Sequence, residues 1–600
     1  MAEFNKLTIT NKGQALMSKI IAGSGNIEFT KVSASSNIYT ESQILALTSL
    51  ANVKQTVAIS KITRINNVSV QIEAAMENSK LTSGYNMNSI GLYAKDPDDG
   101  EILYAVASVS TSDKGAYMPP FNGLTASGAY FKLTTTVSNS DNVSLEVDQA
   151  AVATIGDVTD LQNQISDLQA FIGYTDNDIY GVEVDFVNKK FTRLANAVGK
   201  IAGENFDAVN AFGGRKRCIM TDTGIVLAYH GDAGYTETGA LTQAITLGEG
   251  DSAVTYNVGE KVQVMVEQPK FYYKVVPIEL EKITHGEGKG YHTKKIRYYI
   301  SDVPKAGFKL HPQFISNGVE RNVIYKSAFE GSLYDASASA YILDDAQVAD
   351  FASDMLSSIA NAKPMSGLTQ NLTRANVRKL AQKRGTGWQQ STIQSHYGSM
   401  LLFLIEYASF NTQKSIGMGN VSKTDDGTTN MSEVTGATTN LGNASGSVAN
   451  TNGINMVSYR GEENLWGNIW IFLDGINIVN GGVGEVYIAD NSFADDSVAS
   501  PYKNAGISIA QTSGYISAFA YNEEFDWLFI PSKTAGNDSL PVGDNYYQNV
   551  NGTTAKTVAF VGGRWDSGSN AGGFCVHVSS ASSHRIRSIS GRLVYVPDAA

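Results

Sequence analysis

The sequence predicts a multidomain α+β protein, and three observations point to it. The 600 residues exceed what one hydrophobic core sustains, and at about 150 residues per domain they suggest about four domains. The first quarter opens on one well-capped helix and then runs into segments alternating apolar with polar residues, the period of a half-buried strand. Past residue 150 a short stretch switches to the three-and-four spacing of a helix seam before strand-like patterns return. The composition agrees, since 42% hydrophobic and 17% charged residues with 57 Gly, 29 Tyr and 12 Pro describe an ordered chain of strands and turns with few long helices.

In chain order, Thr10 is placed to N-cap a helix carrying Ala15, Leu16, Lys19 and Ile20, which Gly23 to Gly25 stop. The runs "TVAISKITRI" from Thr56, "SVQIEAAM" from Ser69 and "FKLTTTVS" from Phe131 alternate as strands. Between them "SIGLYAKDPDDGEILYAVASVS" holds two strands joined at Asp96-Pro97-Asp98-Asp99-Gly100. There Pro presets φ and Gly supplies a positive φ, which predicts a hairpin. Together these make residues 1–150 an α+β unit.

Residues 151–173 read as a short coiled-coil linker, with Val158, Leu161, Ile165, Leu168 and Ile172 on the a/d seam and Gly173 ending it. About two heptads are too few to stand alone. An amphipathic helix packed on its own chain fits the same spacing. Ile at a with Leu at d favours two strands in isolated peptides.

From residue 174 to 330 the chain reads as β-rich, with "KRCIMTDTGIVLAYH", "KVQVMVEQPKFYYKVVPI" and "KKIRYYISD" separated by Gly and Asp turns. Residues 331–600 form the last domain. Thr373 caps "RANVRKLAQKR" before Gly385, and "QSHYGSMLLFLIEYAS" is apolar nearly all round, the mark of a buried scaffold helix. The Gly-, Asn-, Ser- and Thr-rich stretch from Lys414 to Asn452 reads as a long surface loop. After it come the aromatic run "ENLWGNIWIFLDGINI" and short strands to the end.

Two parts of the chain resemble known families. "FNKLTITNKGQALMSKIIAGSG" followed by "IGLYAKDPDDGEILYAVA" resembles the N-terminal domain of phage tail-collar fibre proteins, which fasten a fibre to the tail baseplate; this implies three-fold assembly. "RGTGWQQSTIQSHYGSMLLFLIEYASFNTQKSIGMG", "YRGEENLWGNIWIFLDGINI", "VGGRW" and the terminal "SGRLVYVP" resemble C-type-lectin-like domains of the formylglycine-generating-enzyme type, found at the C termini of phage receptor-binding and retroelement-diversified proteins. That resemblance implies a rigid frame carrying a patch of variable contact loops near the C terminus.

The same residues bear on enzymatic and metal chemistry. A net charge of −12 disfavours phosphate backbones and anionic lipid, so no nucleic-acid partner is expected. No signal peptide is predicted, because "MAEFNKLTITNKGQ" lacks a cationic flank and an apolar h-region, and no membrane span, because the strongest apolar run, "MLLFLIEYA", is too short. Of seven histidines, His285 and His292 with Glu287 in "HGEGKGYH" come nearest to a metal constellation, yet they lack helical spacing and a fixed further ligand. This loop reads as a solvated hairpin. No phosphate-binding loop, GxSxG elbow or HExxH helix is convincingly present. Formylglycine-type oxidation needs two neighbouring thiols, whereas Cys218 and Cys575 lie far apart; one disulfide remains possible, or each is a core residue. "RWDSG" at Arg564 only faintly echoes a calcium-lectin strand, so no metal and no cofactor are expected.

The expectation is thus a phage or phage-tail-like particle's tail fibre, made in the bacterial cytoplasm and acting outside it. Its N-terminus meets a baseplate protein, and its C-terminal tip meets a bacterial surface glycan or protein without catalysis. The contact patch is expected to hold Arg564, Trp565, Asp566, Asn570, Phe574, His577, His584, Arg585 and Arg587, with Tyr546 and Tyr547 beside it, because Arg and aromatic residues supply hot-spot energy while Ser, Gly and Asn adapt. Trp565 also reads as core. Two alternatives stay open: a tailspike enzyme that cuts surface glycans with a carboxylate pair, and a purely structural collar or spacer.

Overall fold

The structure is a computed structural model and describes residues 4–23, 27–64, 69–121, 127–136, 145–148, 178–345 and 349–597. Among the described residues strands dominate, 39% against 12% helical, in many small sheets. This overturns the expected α+β class: the described residues are mostly β-sheet. The physical reason is that helix is confined to short pieces, the two longest among the described residues having 12 and 15 residues, while backbone pairing is met by antiparallel neighbours. The seam residues Val158, Leu161, Ile165, Leu168 and Ile172 lie outside the described residues.

The chain divides into two compact units, Met1–Ser166 and Asp167–Ala600. In the first, helix α1 (Asn11–Ala22) begins where the Thr10 hydroxyl accepts from Gly13 N at 3.0 Å and donates to Leu103 O at 2.7 Å, so one side chain both caps the helix and ties it to the sheet. A Cβ at Gly13 would fall 2.2 Å from Tyr104 O; the helix therefore needs glycine to lie this close to a strand. The hairpin forms between β1 (Ser89–Asp96) and β2 (Gly100–Ser108), with Asp96 opposite Gly100. Asp96 Oδ1 accepts from the Asp98 and Asp99 amides at 2.8 and 3.1 Å, closing the turn from inside. Gly100 supplies the positive φ of 74°. Leu16, Val32, Ile72, Ile90, Leu92, Tyr104 and Phe131 are buried in one core, between a five-stranded sheet and a four-stranded one.

The second unit carries a seven-stranded sheet in which β3 (Tyr272–Lys282) and β4 (Tyr291–Ser301) pair over most of their length. Ala518–Tyr521 joins this sheet by pairing Tyr521 with Tyr291. Helix α2 (Arg374–Gln382) is capped by Thr373, whose hydroxyl accepts from Asn376 N at 3.4 Å. Helix α3 (Ile393–Tyr407) is buried from Ile393 to Glu406, as an apolar surface on every side requires. An eight-stranded sheet holds, among others, β5 (Trp470–Val479), β6 (Asn545–Gln548), β7 (Lys556–Gly562) and β8 (Gly572–Ser580), in the spatial order β5-β7-β8-β6. The last strand, β9 (Leu593–Tyr595), lies in a six-stranded sheet between Val323–Ser327 and Trp388–Gln390. Strands from both sides of residue 330 thus share sheets.

Two local expectations change, and the core reading of the cysteines holds. The Lys414–Asn452 stretch is not a loose surface loop: Asn420, Asn430, Ser432, Thr435 and Thr438 are buried. Its polar side chains are satisfied internally, as when Glu463 accepts from Gly436 N at 2.8 Å and from Thr438 N and Oγ1 at 2.8 and 2.6 Å. The "HGEGKGYH" turn joins β3 to β4, but His292 is buried within the strand. Cys218 and Cys575 are both buried and free, so no disulfide joins them.

Candidate functional site

Strand β8 determines what the segment before the last strand can present. Phe574, Val576 and Val578 point into the main core, while Cys575 packs with Trp470 and Phe560 in a second cluster on the opposite face. This is the period-2 consequence of a strand with core on one side and a cleft bordering the other. His577 belongs to the second face. The register sets it beside Tyr547 on β6 and Phe560 on β7, so three rings form a row across three strands.

Their ring centroids lie 5.2 Å apart for Tyr547 and His577 and 4.2 Å for Phe560 and His577, with planes inclined by only 27° and 20°. Trp470 meets the row edge-on, 5.3 Å from Phe560 and 5.7 Å from His577, a favoured arrangement of ring quadrupoles. His584 stacks farther out on Phe560 at 6.1 Å. Burial pushes the His577 ring down to about 3, helped by His584 and Arg564, because a charged imidazole would lose its hydration here. It is neutral at physiological pH. The Ser579 amide donates to its Nδ1 at 3.3 Å. Burial likewise lowers His584 and raises the Tyr547 hydroxyl.

The polar wall comes from the turn after β7. Gly562 and Gly563 have φ of 96° and 88°, left-handed values that turn the chain into Arg564. Arg564 grips Asp566 through two nearly parallel bonds, Nε to Oδ1 at 2.7 Å and Nη2 to Oδ2 at 3.0 Å, and donates from Nη1 to Ser588 Oγ at 2.9 Å. The Asn570 carboxamide oxygen accepts from Asn545 Nδ2 at 2.9 Å. These groups and the ring row enclose a cleft of about 310 Å³ lined by Tyr547, Arg564, Asp566, Asn570, His577 and His584, together with Trp470, Phe560, Ser567 and Ile586.

Six of the expected contact residues therefore share one cleft, and the others do not line it. Trp565 and Phe574 are fully buried, Phe574 against Phe410 and Phe529 at 4.8 and 5.3 Å. Tyr546 points to the core face of β6 and is also fully buried. All three are framework: Tyr546 and Phe574 because neighbouring positions on a strand face opposite ways, and Trp565, in the turn after β7, in keeping with its core reading. Arg585 is exposed and donates from Nη1 to Asn371 Oδ1 at 2.5 Å. Arg587 clamps the Lys414–Asn452 segment, reaching both Asp425 carboxylate oxygens at 2.6 Å and Asp426 at 3.3 Å; it holds the Asp425 carboxyl below the usual range.

Trp470, Phe560, Ser567 and Ile586 were not anticipated in the cleft. Trp470 and Phe560 belong to runs that look like core in sequence, and only the register brings their edges to the opening. Two other cavities, of about 540 Å³ beside Arg215, His230 and Arg460 and of about 240 Å³ beside Lys189, His292 and Lys533, contain none of the expected residues. Among the described residues no group of three or more His, Cys, Asp or Glu is placed to hold a metal ion, and no helix is long and apolar enough to cross a membrane.

Compared with known families, residues 1–156 match the phage tail-collar fibre protein, N-terminal, family. Compared with curated proteins, the chain has no match. The N-terminal unit is thus similar to the tail-collar domain of a phage tail fibre, which supports a tail component of a virion.

Proposed function

We propose that the chain is a tail fibre that fastens to the baseplate through its N-terminal unit and adheres to the bacterial surface through the cleft of its C-terminal unit. The observation that carries this reading is the family match over residues 1–156. The cleft adds a place of contact: in a concavity of about 310 Å³, an aromatic row beside oriented polar groups can hold a small ligand by ring contact and hydrogen bonds. Weak single contacts suffice, because several fibres on one particle raise the effective concentration of each. On the same ground the protein is read as a homotrimer, which the sedimentation mass of the purified chain tests.

The reading includes adhesion without catalysis. The Asp566 carboxylate accepts two bonds from Arg564, which suits a positioning part better than a free acid or base. The glycan-cleaving alternative predicts released sugars when purified protein is incubated with host envelope.

The test is adsorption by particles carrying Ile586→Trp, which fills the cleft from its rim. Assembled particles are expected in normal number, with adsorption to host cells reduced by about tenfold or more. Normal adsorption by such particles would favour the structural-spacer alternative, in which another protein recognises the host.

A further inference from the structure

The charges around the cleft identify what it accepts, on the reading that the cleft is the adhesion site. Arg564 has all three guanidinium nitrogens bonded within the protein, two to Asp566 and one to Ser588. Behind it, Arg587 is held by Asp425 and Asp426. Two guanidinium groups therefore face three carboxylates, and neither cation is left over for an anionic ligand.

His577 adds no charge, stacked as a neutral ring between Tyr547 and Phe560 with its Nδ1 accepting from the Ser579 amide. What remains on the lining is uncharged: aromatic surface, the Tyr547 hydroxyl, the Asn570 carboxamide and the Ser567 hydroxyl. A ligand entering here loses water and gains only neutral hydrogen bonds and ring contact. A carboxylate or phosphate would be desolvated without a compensating cation.

We propose that the cleft binds an uncharged saccharide unit, its apolar ring face against the aromatic row and its hydroxyls on the neutral polar groups, and that it discriminates against acidic sugars. A cavity of about 310 Å³ lies at the small end of ligand sites, in keeping with one sugar ring at a time. Binding should be flat from about pH 6 to about pH 8, because the groups facing the cleft are Arg564 with Asp566, the flanking Arg587 with Asp425, and two histidines that burial holds toward the neutral form.

The test titrates the full-length protein, by saturation-transfer NMR and calorimetry, with methyl glycosides of glucose, galactose and N-acetylglucosamine and with glucuronic and galacturonic acids. At least one neutral glycoside should bind, with each acid weaker by about tenfold or more. Asp566→Asn leaves Arg564 only the longer ion pair to Asp425 at 3.8 Å and should strengthen uronic-acid binding by about tenfold. Tyr547→Ala should abolish binding while the thermal transition persists. Acidic sugars binding the unaltered protein as tightly as neutral ones would overturn the assignment of ligand class and leave the adhesion site standing. If no sugar binds while Ile586→Trp particles still lose adsorption, the cleft takes a protein or another polymer, and the saccharide proposal fails alone. If no sugar binds and adsorption by those particles is normal, both readings fall.

Discussion

His577 lies between two rings in a strand whose other face is core, and its titration makes the burial measurable. Folded, the ring takes a proton only near pH 3; unfolded, it does so near the ordinary value of about 6.5. The stabilisation from keeping it neutral is therefore complete above about pH 6.5 and is lost as pH falls toward 3. His292 and His396, pushed down to about 4 by burial, act in the same direction. Replacing His577 by Phe, which stacks but cannot titrate, should reduce the pH slope of unfolding free energy by about 1.4 kcal/mol per pH unit between about pH 6 and about pH 4. Urea unfolding at a series of pH values gives that slope, and an unchanged slope would mean that the ring is solvated. The turn that aims Arg564 is equally specific. Gly563 has φ of 88°, and a Cβ there would lie 2.5 Å from the Ala571 Cβ. Gly563→Ala should cost about 1–3 kcal/mol, read as a lowered thermal midpoint.

At the scale of elements, the segment from Lys414 to Asn452 shows how a polar sequence becomes framework. Glu463, fully buried on its short strand, gathers three donors from Gly436 and Thr438. Glu463→Ala would leave the two Thr438 donors buried without this acceptor, at about 1–3 kcal/mol each, and the part-buried Gly436 amide unpaired. Unfolding by guanidinium should show a loss of at least about 3 kcal/mol, and limited proteolysis should cut first between residues 414 and 452. Composition could not reveal this, because Asn, Ser and Thr read alike whether they face water or a buried carboxylate. The elements that were legible are those whose cause is local. Thr10 and Thr373 cap their helices, Asp96 to Gly100 close a hairpin, and the apolar surround of α3 announces burial. Helix weighed too heavily in the class assignment, since a capped helix is conspicuous while many short antiparallel strands are individually faint.

For the whole molecule, what escaped the sequence is pairing between distant residues. Tyr595 lies opposite both Tyr325 and Trp388, and Tyr291 opposite Tyr521; no periodicity encodes such partners. The same limit applies to the cleft. Six of the polar and aromatic residues singled out by type share one cleft, but Phe574 and Tyr546 were separated from their neighbours only by strand register, and Trp565 by the turn after β7. Within the alternation of β6 and β8, Tyr546 faces opposite to Tyr547, and Phe574 opposite to His577. That parity could have been read once strands were assumed.

The proposed adhesion site, the neutral aromatic cleft on the C-terminal unit, is open to direct measurement in the assembled particle. Hydrogen exchange on assembled particles, with and without host envelope, measures this directly. Exchange is expected to slow in residues 545–548, 564–570 and 577–586 with the remainder of the second unit unchanged; protection confined to other surfaces, or none at all, would place the contact elsewhere.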